Sequence, residues 1–215
     1  GAKLTRCVAR LLVGDDGPWA GLGALFDEVW FIRIPHDERM RRLVERHMRF
    51  GRTREAAAYD DIPLAIELTT APTVAEILAD FEAAAEIIAR GRGSVLTMGF
   101  CFGGMVAYIA AARSDRVERA VAFYPVSIRR VWDEVGPPRR PVLVFFGDAD
   151  QIIDPEEQAW VARLADDPEL DVIVRSFPDA PHGYFNDVGP DRYDEAASQA
   201  SWDQLTRFFD TEVTA

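Results

Sequence analysis

Basic charge, cysteine and histidine are all scarce in this chain of 215 residues. Lys and Arg number 24 against 36 Asp and Glu, a net charge of −12. That excess repels nucleic acid and anionic lipid at long range, so neither nucleic acid nor membrane is expected as a partner. The two cysteines, Cys7 and Cys101, are too few for a disulfide framework, and no pair has zinc-ligand spacing. A reducing, cytoplasmic setting is expected. No N-terminal basic region leads into an apolar stretch and a small-residue cleavage site, so no export signal is read. Internal repeats, low-complexity tracts and linker-like stretches are missing as well, which predicts a single domain over residues 1–215. Apolar residues at 48% and charged residues at 28% are ordinary for a globular chain, and the length suffices for a large core without staples.

A membrane-spanning run is also lacking. Ser94–Ala112 carries no charge over 19 residues, but Gly99, Gly103 and Gly104 interrupt it. Its first part, Ser-Val-Leu-Thr-Met, reads as a strand. Its last, Met-Val-Ala-Tyr-Ile-Ala-Ala-Ala, reads as a buried helix.

What is present is an alternation of short β-rich runs with helical stretches. Strands are predicted at Val8–Val13, Trp30–Ile34, Ser94–Met98, Ala120–Phe123, Val142–Phe146 and Val172–Phe177. Most are near-continuous apolar runs, as strands covered on both faces should be. Thr73-Val-Ala-Glu76 is a capping box that opens a helix to about Ala89. Asp154-Pro-Glu-Glu157 combines an N-cap Asp, a Pro at the first helical position and a Glu three residues on, and opens another. Ala196–Phe209 reads as the closing helix. The alternation predicts an α/β fold, a parallel sheet with helices on both faces. Arg39–Pro72 departs from the alternation and is expected as a helical and loop excursion over the top of the sheet.

The sharpest chemical signal is Gly99-Phe-Cys101-Phe-Gly103-Gly104, between a predicted strand and a predicted helix. This is the nucleophile-elbow pattern G-x-Nuc-x-G with cysteine as the nucleophile. The turn is strained, and side chains two residues either way are expected to clash with the neighbouring strand and helix. The thiol is lifted to a helix N-terminus, whose dipole favours negative charge. Cys7, at the start of the first strand, is read as structural.

A thiol nucleophile needs a base, and there are three histidines. His47 lies in a basic helical stretch and reads as a solvated residue. His36, in Ile-Pro-His-Asp after a strand end, is a candidate pocket residue. His182 lies in Pro178-Asp-Ala-Pro-His182-Gly-Tyr, a turn-rich loop after the last strand, where catalytic side chains gather in α/β sheets. It is the expected base. The orienting acid should fall between nucleophile and histidine in the chain. Gly147-Asp148-Ala-Asp150 follows a strand there, and Asp150 is preferred, with Asp148 as the turn former. Two backbone N–H groups should hold an oxyanion. One is expected from Phe102 and the other from Gly17, in the loop Gly14–Trp19, because Pro18 has no N–H. Trp19, His36, Tyr184 and Asn186 are expected in or beside the pocket.

With G-F-C-F-G-G at 99–104, G-D-A-D at 147–150 and F-P-D-A-P-H-G-Y-F at 177–185, most of the chain resembles the dienelactone hydrolase family. The resemblance implies an α/β-hydrolase fold and a Cys-His-Asp triad, which falls on Cys101, His182 and Asp150. It also implies that the six predicted strands correspond to the third through eighth of the hydrolase sheet, so that the chain lacks the first strands. The family's Glu that holds the resting cysteine corresponds to Asp16, with Asp15 as a rival alignment. Of the family's carboxylate-binding arginines, the one four residues after the histidine is replaced by Asn186. Arg49, Arg52 and Arg54 are available for the other.

The expected function is therefore cleavage of a small-molecule ester or lactone through a thioester on Cys101, with no metal or organic cofactor. Activated phosphotriesters are an alternative substrate class. A peroxide-sensing thiol on the same scaffold is a second alternative, weakened because nothing reads as a nearby resolving cysteine. A binding protein that has lost catalysis is a third, weakened by the complete set of triad residues.

Overall fold

Apolar runs separated by helical segments must return to the same sheet edge by crossovers, and crossovers of that length produce parallel strands. The structure, a computed structural model, describes residues 4–6, 30–32, 73–89, 94–187 and 191–210. The chain forms two units, Gly1–Ala71 and Pro72–Ala215.

In the first unit, β1 (Leu4–Arg6) and β2 (Trp30–Ile32) pair antiparallel, with Leu4 opposite Ile32 and Arg6 opposite Trp30. This corrects the expectation that the Trp30 strand joins a parallel sheet. An apolar run marks strand character but carries no direction. The predicted strand Val8–Val13 and the excursion 39–72 lie outside the described residues.

The second unit holds α1 (Val74–Ala89), β3 (Val95–Phe100), α2 (Phe102–Arg113), β4 (Val117–Phe123), α3 (Ile128–Val135) and β5 (Val142–Gly147). It continues with α4 (Pro155–Ala162), a 3-10 turn (Arg163–Asp166), β6 (Val172–Phe177) and α5 (Glu195–Asp210). The four strands form one parallel sheet in the order β3-β4-β5-β6.

The expected caps are made. Glu76 N–H donates to Thr73 Oγ1 at 3.2 Å, and Thr73 N–H donates to Glu76 Oε2 at 2.9 Å. Glu156 N–H donates to Asp154 Oδ1 at 2.7 Å, with Pro155 at the first helical position. The uncharged run at 94–112 divides into β3 and most of α2, and no helix among the described residues is long and apolar enough to cross a membrane. α2 is buried along Met105 and Ala107–Ala112, so small side chains let it lie close to the sheet. Helix α3 is absent from the expectations above. Its buried Ile128, Val131 and Val135 follow helical spacing over barely two turns.

Register decides where the chemistry emerges. Phe100 is opposite Phe123, Phe123 is opposite Phe145, and Gly147 is opposite Phe177. All four strands therefore end at one edge. Beneath that edge runs a ladder of rings: Phe100 to Phe123 at 4.7 Å, Phe123 to Phe145 at 4.8 Å, and Phe145 to Phe177 at 5.9 Å between centroids. Phe123 and Phe145 are fully buried. Such pairs add about 0.5–1.5 kcal/mol each beyond their area burial. The closing helix is tied under β4 by Arg119, which donates from Nη1 to the Phe208 carbonyl at 3.0 Å and lies over the Phe208 ring.

Candidate active site

Cys101 leaves β3 with φ 53° and ψ −117°, a conformation that side chains rarely adopt. Holding a residue other than glycine there costs on the order of 1–3 kcal/mol. The surroundings enforce it. Cys101 N–H donates to the Phe123 carbonyl at 3.0 Å, extending the sheet ladder by one bond, and α2 begins at the next residue.

The glycines around it differ in their reasons. A Cβ on Gly99 would lie 2.0 Å from the Gly103 carbonyl oxygen, because the first turn of α2 folds back over the strand end. A Cβ on Gly103 would meet nothing within 4 Å, which corrects the expectation of a clash on both sides. The tight position is Gly104, where a Cβ would come 2.8 Å from the Phe123 carbonyl oxygen and 3.1 Å from Pro125 Cα. The helix meets the exit of β4 one residue later than the elbow pattern implies.

His182 sits in the loop after β6 and is 5% exposed. Its Nδ1 meets Asp150 Oδ2 at 2.7 Å. A carboxylate only accepts, so Nδ1 carries the proton and donates. The other carboxylate oxygen, Oδ1, accepts from Ile152 N–H at 2.8 Å and Ile153 N–H at 2.9 Å, which fixes the acid's orientation. Cys101 lies close enough to the imidazole to act on its basicity. With Nδ1 occupied by Asp150, Nε2 is the ring nitrogen left for the sulfur.

The structure thus brings Cys101, His182 and Asp150 together at one sheet edge. Asp148 is turned away, and its Oδ1 accepts from Asp179 N–H at 2.5 Å. Burial alone would lower the basicity of His182. The hydrogen bonds to Asp150 and Cys101, and their negative charge, outweigh that and push it up from 6.5 to about 9.

Phe102 N–H is the first amide of α2 and has no acceptor among the described residues. It stands beside the sulfur at the positive end of the helix. Gly17, Asp15, Asp16, Trp19 and His36, together with Arg49, Arg52 and Arg54, lie outside the described residues. Tyr184 is not open to a pocket. It is fully buried, and its hydroxyl is shared with Ser201 Oγ at 2.7 Å. The alternation of aromatic and small residues after His182 does not tell which side chain points inward. Asn186 is exposed, and its N–H closes a turn on the Gly183 carbonyl at 2.9 Å.

One residue the sequence reading did not single out belongs to the site. Tyr124 follows β4 directly at φ 36°, and its buried ring stands edge-on to His182 at 4.8 Å between centroids. Burial, then the negative charges of Cys101 and Asp150, raise its phenol well above the ordinary range, while Arg192 opposes this, so the ring is neutral. The available signal was position: Tyr124 ends the strand between those that carry Cys101 and Asp150. Among the described residues, no group of three or more His, Cys, Asp or Glu could hold a metal ion.

The dienelactone hydrolase family model matches residues 46–213. A curated relative from Escherichia coli O157:H7, named "Putative carboxymethylenebutenolidase", is 28% identical over 165 residues, covering 70% of this chain and 60% of its own. The chain thus spans about 60% of the length of that relative. Among solved structures, a dienelactone hydrolase-like promiscuous phosphotriesterase from metagenomic libraries is 22% identical, with TM-score 0.53 over 60% of this chain and 58% of that one. Thermogutta terrifontis esterase 2 phosphorylated by paraoxon is 20% identical, with TM-score 0.54 over 64% of each chain. At these identities the solved structures show a shared α/β-hydrolase fold.

Proposed function

The chain belongs to the dienelactone hydrolase family, and from that premise we propose that it hydrolyses a small-molecule ester or lactone with Cys101 as the nucleophile. The observation that carries this reading is the strained Cys101 elbow beside an imidazole that Asp150 orients.

The cycle has two halves. His182 Nε2 takes the thiol proton as the Cys101 sulfur attacks the carbonyl carbon, and the oxygen becomes an oxyanion held by the Phe102 N–H and a second donor, for which Gly17 is the candidate. As the C–O bond breaks, His182 Nε2 gives its proton to the leaving alkoxide, and a thioester remains on Cys101. His182 Nε2 then takes a proton from water, and the hydroxide attacks the thioester. The acid leaves, and the sulfur returns to its bond with the imidazole. Asp150 stays ionised and keeps Nδ1 protonated throughout. No step calls for a metal or organic cofactor. Asp16 is the candidate for holding the resting thiol.

The substrate class that fits best is a neutral ester or lactone. Asn186 stands where the family has a carboxylate-binding arginine, and a neutral amide compensates a desolvated carboxylate poorly. Phosphotriesters are the second reading. The same nucleophile and oxyanion donors suit a P=O group, and two fold neighbours are named for such substrates or adducts.

The test is p-nitrophenyl butyrate hydrolysis with intact-mass detection of a butyryl adduct. The expected result is an adduct on Cys101 in the wild type and none in Cys101→Ala, with turnover lost. Turnover of Cys101→Ala at the wild-type rate would overturn the reading.

A further inference from the structure

The loop that carries His182 holds a second strained residue, Asp179, at φ 58°. Downstream of it the chain has little freedom. Pro181 has its φ locked by its ring, and Ala180 precedes a proline and is confined to extended conformations. The Ala180 carbonyl also accepts from Ala149 N–H at 3.2 Å. It lies so close over Gly147 that a Cβ there would be 2.1 Å from it. The backbone rotation at Asp179 therefore sets where the imidazole lands three residues later. Two bonds hold this rotation: a long backbone bond from Ala180 N–H to the Phe177 carbonyl at 3.4 Å, which closes the turn, and a short one to a side chain, Asp148 Oδ1, which accepts from Asp179 N–H at 2.5 Å.

We infer that Asp148, which the proposed cycle does not use, is a positioning residue that pins Asp179 in its left-handed conformation and thereby holds His182 against Asp150 and Cys101. The inference rests on the role proposed for His182. Besides the His182–Asp150 bond itself, the two loops are joined by three ties of two kinds. Asp148 N–H to the Phe177 carbonyl (3.1 Å) and Ala149 N–H to the Ala180 carbonyl are backbone bonds and survive any substitution at 148. The third depends on the carboxylate alone. Asp148 and Asp179 are both exposed, so removing the carboxylate leaves no buried group unsatisfied. The loop stays attached, and its critical dihedral is left to the long Ala180-to-Phe177 backbone bond alone. A carboxylate accepting from a backbone N–H is a charge-assisted bond, stronger than the amide–amide ties beside it.

The experiment compares the full chain with Asp148→Ala, Asp148→Asn, Asp179→Gly and the Asp148→Ala/Asp179→Gly double variant. The probes are p-nitrophenyl butyrate and the NMR titration of the His182 imidazole. Asp148→Ala should lower kcat by about 10- to 100-fold with KM within about twofold, as expected for a small displacement of a reacting group. Its His182 titration should move down from about 9 toward 6.5. Asp148→Asn keeps an acceptor oxygen and should stay within about threefold of wild type. Glycine adopts positive φ without strain, so the double variant should recover most of the lost kcat and the raised titration.

A folded Asp148→Ala with wild-type kcat, or a double variant with no recovery, would overturn the inference. Should Asp148→Ala fail to fold, the Asn variant decides, and a loss above tenfold there would overturn it. Wild-type turnover by Cys101→Ala would remove the proposed function instead. The His182 titration then still decides the positioning role, and an unmoved titration in Asp148→Ala refutes it.

Discussion

Replacing Cys101 by glycine should leave the protein more stable than replacing it by alanine, which inverts the usual order. In an ordinary helix or strand, glycine is worse than alanine by about 0.5–1 kcal/mol, because it gives the unfolded chain more freedom. At position 101 the folded backbone has φ 53° and ψ −117°. An alanine inherits that strain, on the order of 1–3 kcal/mol, and a glycine does not. Both variants lose the sulfur and its bond to His182, so those losses cancel in the comparison. Subtracting the entropy term from the strain leaves the glycine variant ahead by up to about 2.5 kcal/mol, centred near about 1 kcal/mol. At about 2–4 °C per kcal/mol for a chain of this size, the melting temperatures should differ by roughly 2–4 °C at the centre of that range and by at most about 10 °C. The assay is thermal unfolding followed by circular dichroism at one pH, with p-nitrophenyl butyrate turnover showing both variants inactive. An alanine variant that melts at or above the glycine variant would refute the claim that the elbow is strained, and with it the structural argument for Cys101 as a presented nucleophile.

Other consequences can be checked with the same material. Gly99→Ala and Gly104→Ala should each cost more than about 2 kcal/mol in urea unfolding, since the added methyl meets backbone at 2.0 and 2.8 Å, whereas Gly103→Ala should be neutral or stabilising by up to about 1 kcal/mol. Stability should also depend on pH through His182. Its basicity is raised on folding, so its contribution is complete below about 6.5 and is lost as pH rises through about 9. That displacement bounds the loss at about 3 kcal/mol, and unfolding free energies measured across this pH range should flatten in His182→Gln. A neutral aryl ester should exceed its carboxylated analogue in kcat/KM. A tenfold preference for the carboxylate that falls on mutating Arg49, Arg52 or Arg54 would reverse that assignment.

The parts of the fold legible in the sequence were those with local, one-residue causes. Thr73 with Glu76, and Asp154 with Pro155, announce helix starts because each satisfies orphan amides by itself. Val172–Phe177 coincides with β6 because a long apolar run between turn residues has few other uses. Val117, Glu118 and Arg119 at the start of β4 fall outside the expected strand because two charged residues break the apolar run there. The pairing of β1 with β2 was not legible, since direction is set by tertiary contacts. In the site, the elbow and the order Cys101, Asp150, His182 were visible as motifs. The division between Asp148 and Asp150 rested on a reach argument, and the geometry places Asp150 at the imidazole. Tyr124 was hidden because nothing in Ala-Phe-Tyr-Pro distinguishes a ring that walls a histidine from one that fills a core.

The ladder of phenylalanine rings under the sheet edge bears on how the protein acquires its site while folding. Its rungs at 100, 123, 145 and 177 are separated by 23, 22 and 32 residues along the chain. None can form from a local hairpin, because each requires a crossover to close before the next strand docks. The three site residues sit just past three of these strands, and their mutual distances are set only when the rings are in contact. A refolding chain has no route to a half-made site: an elbow without β5 lacks its acid, and a docked β5 without β6 lacks its base. Activity should therefore return in step with the last strand to register, however early the helices form.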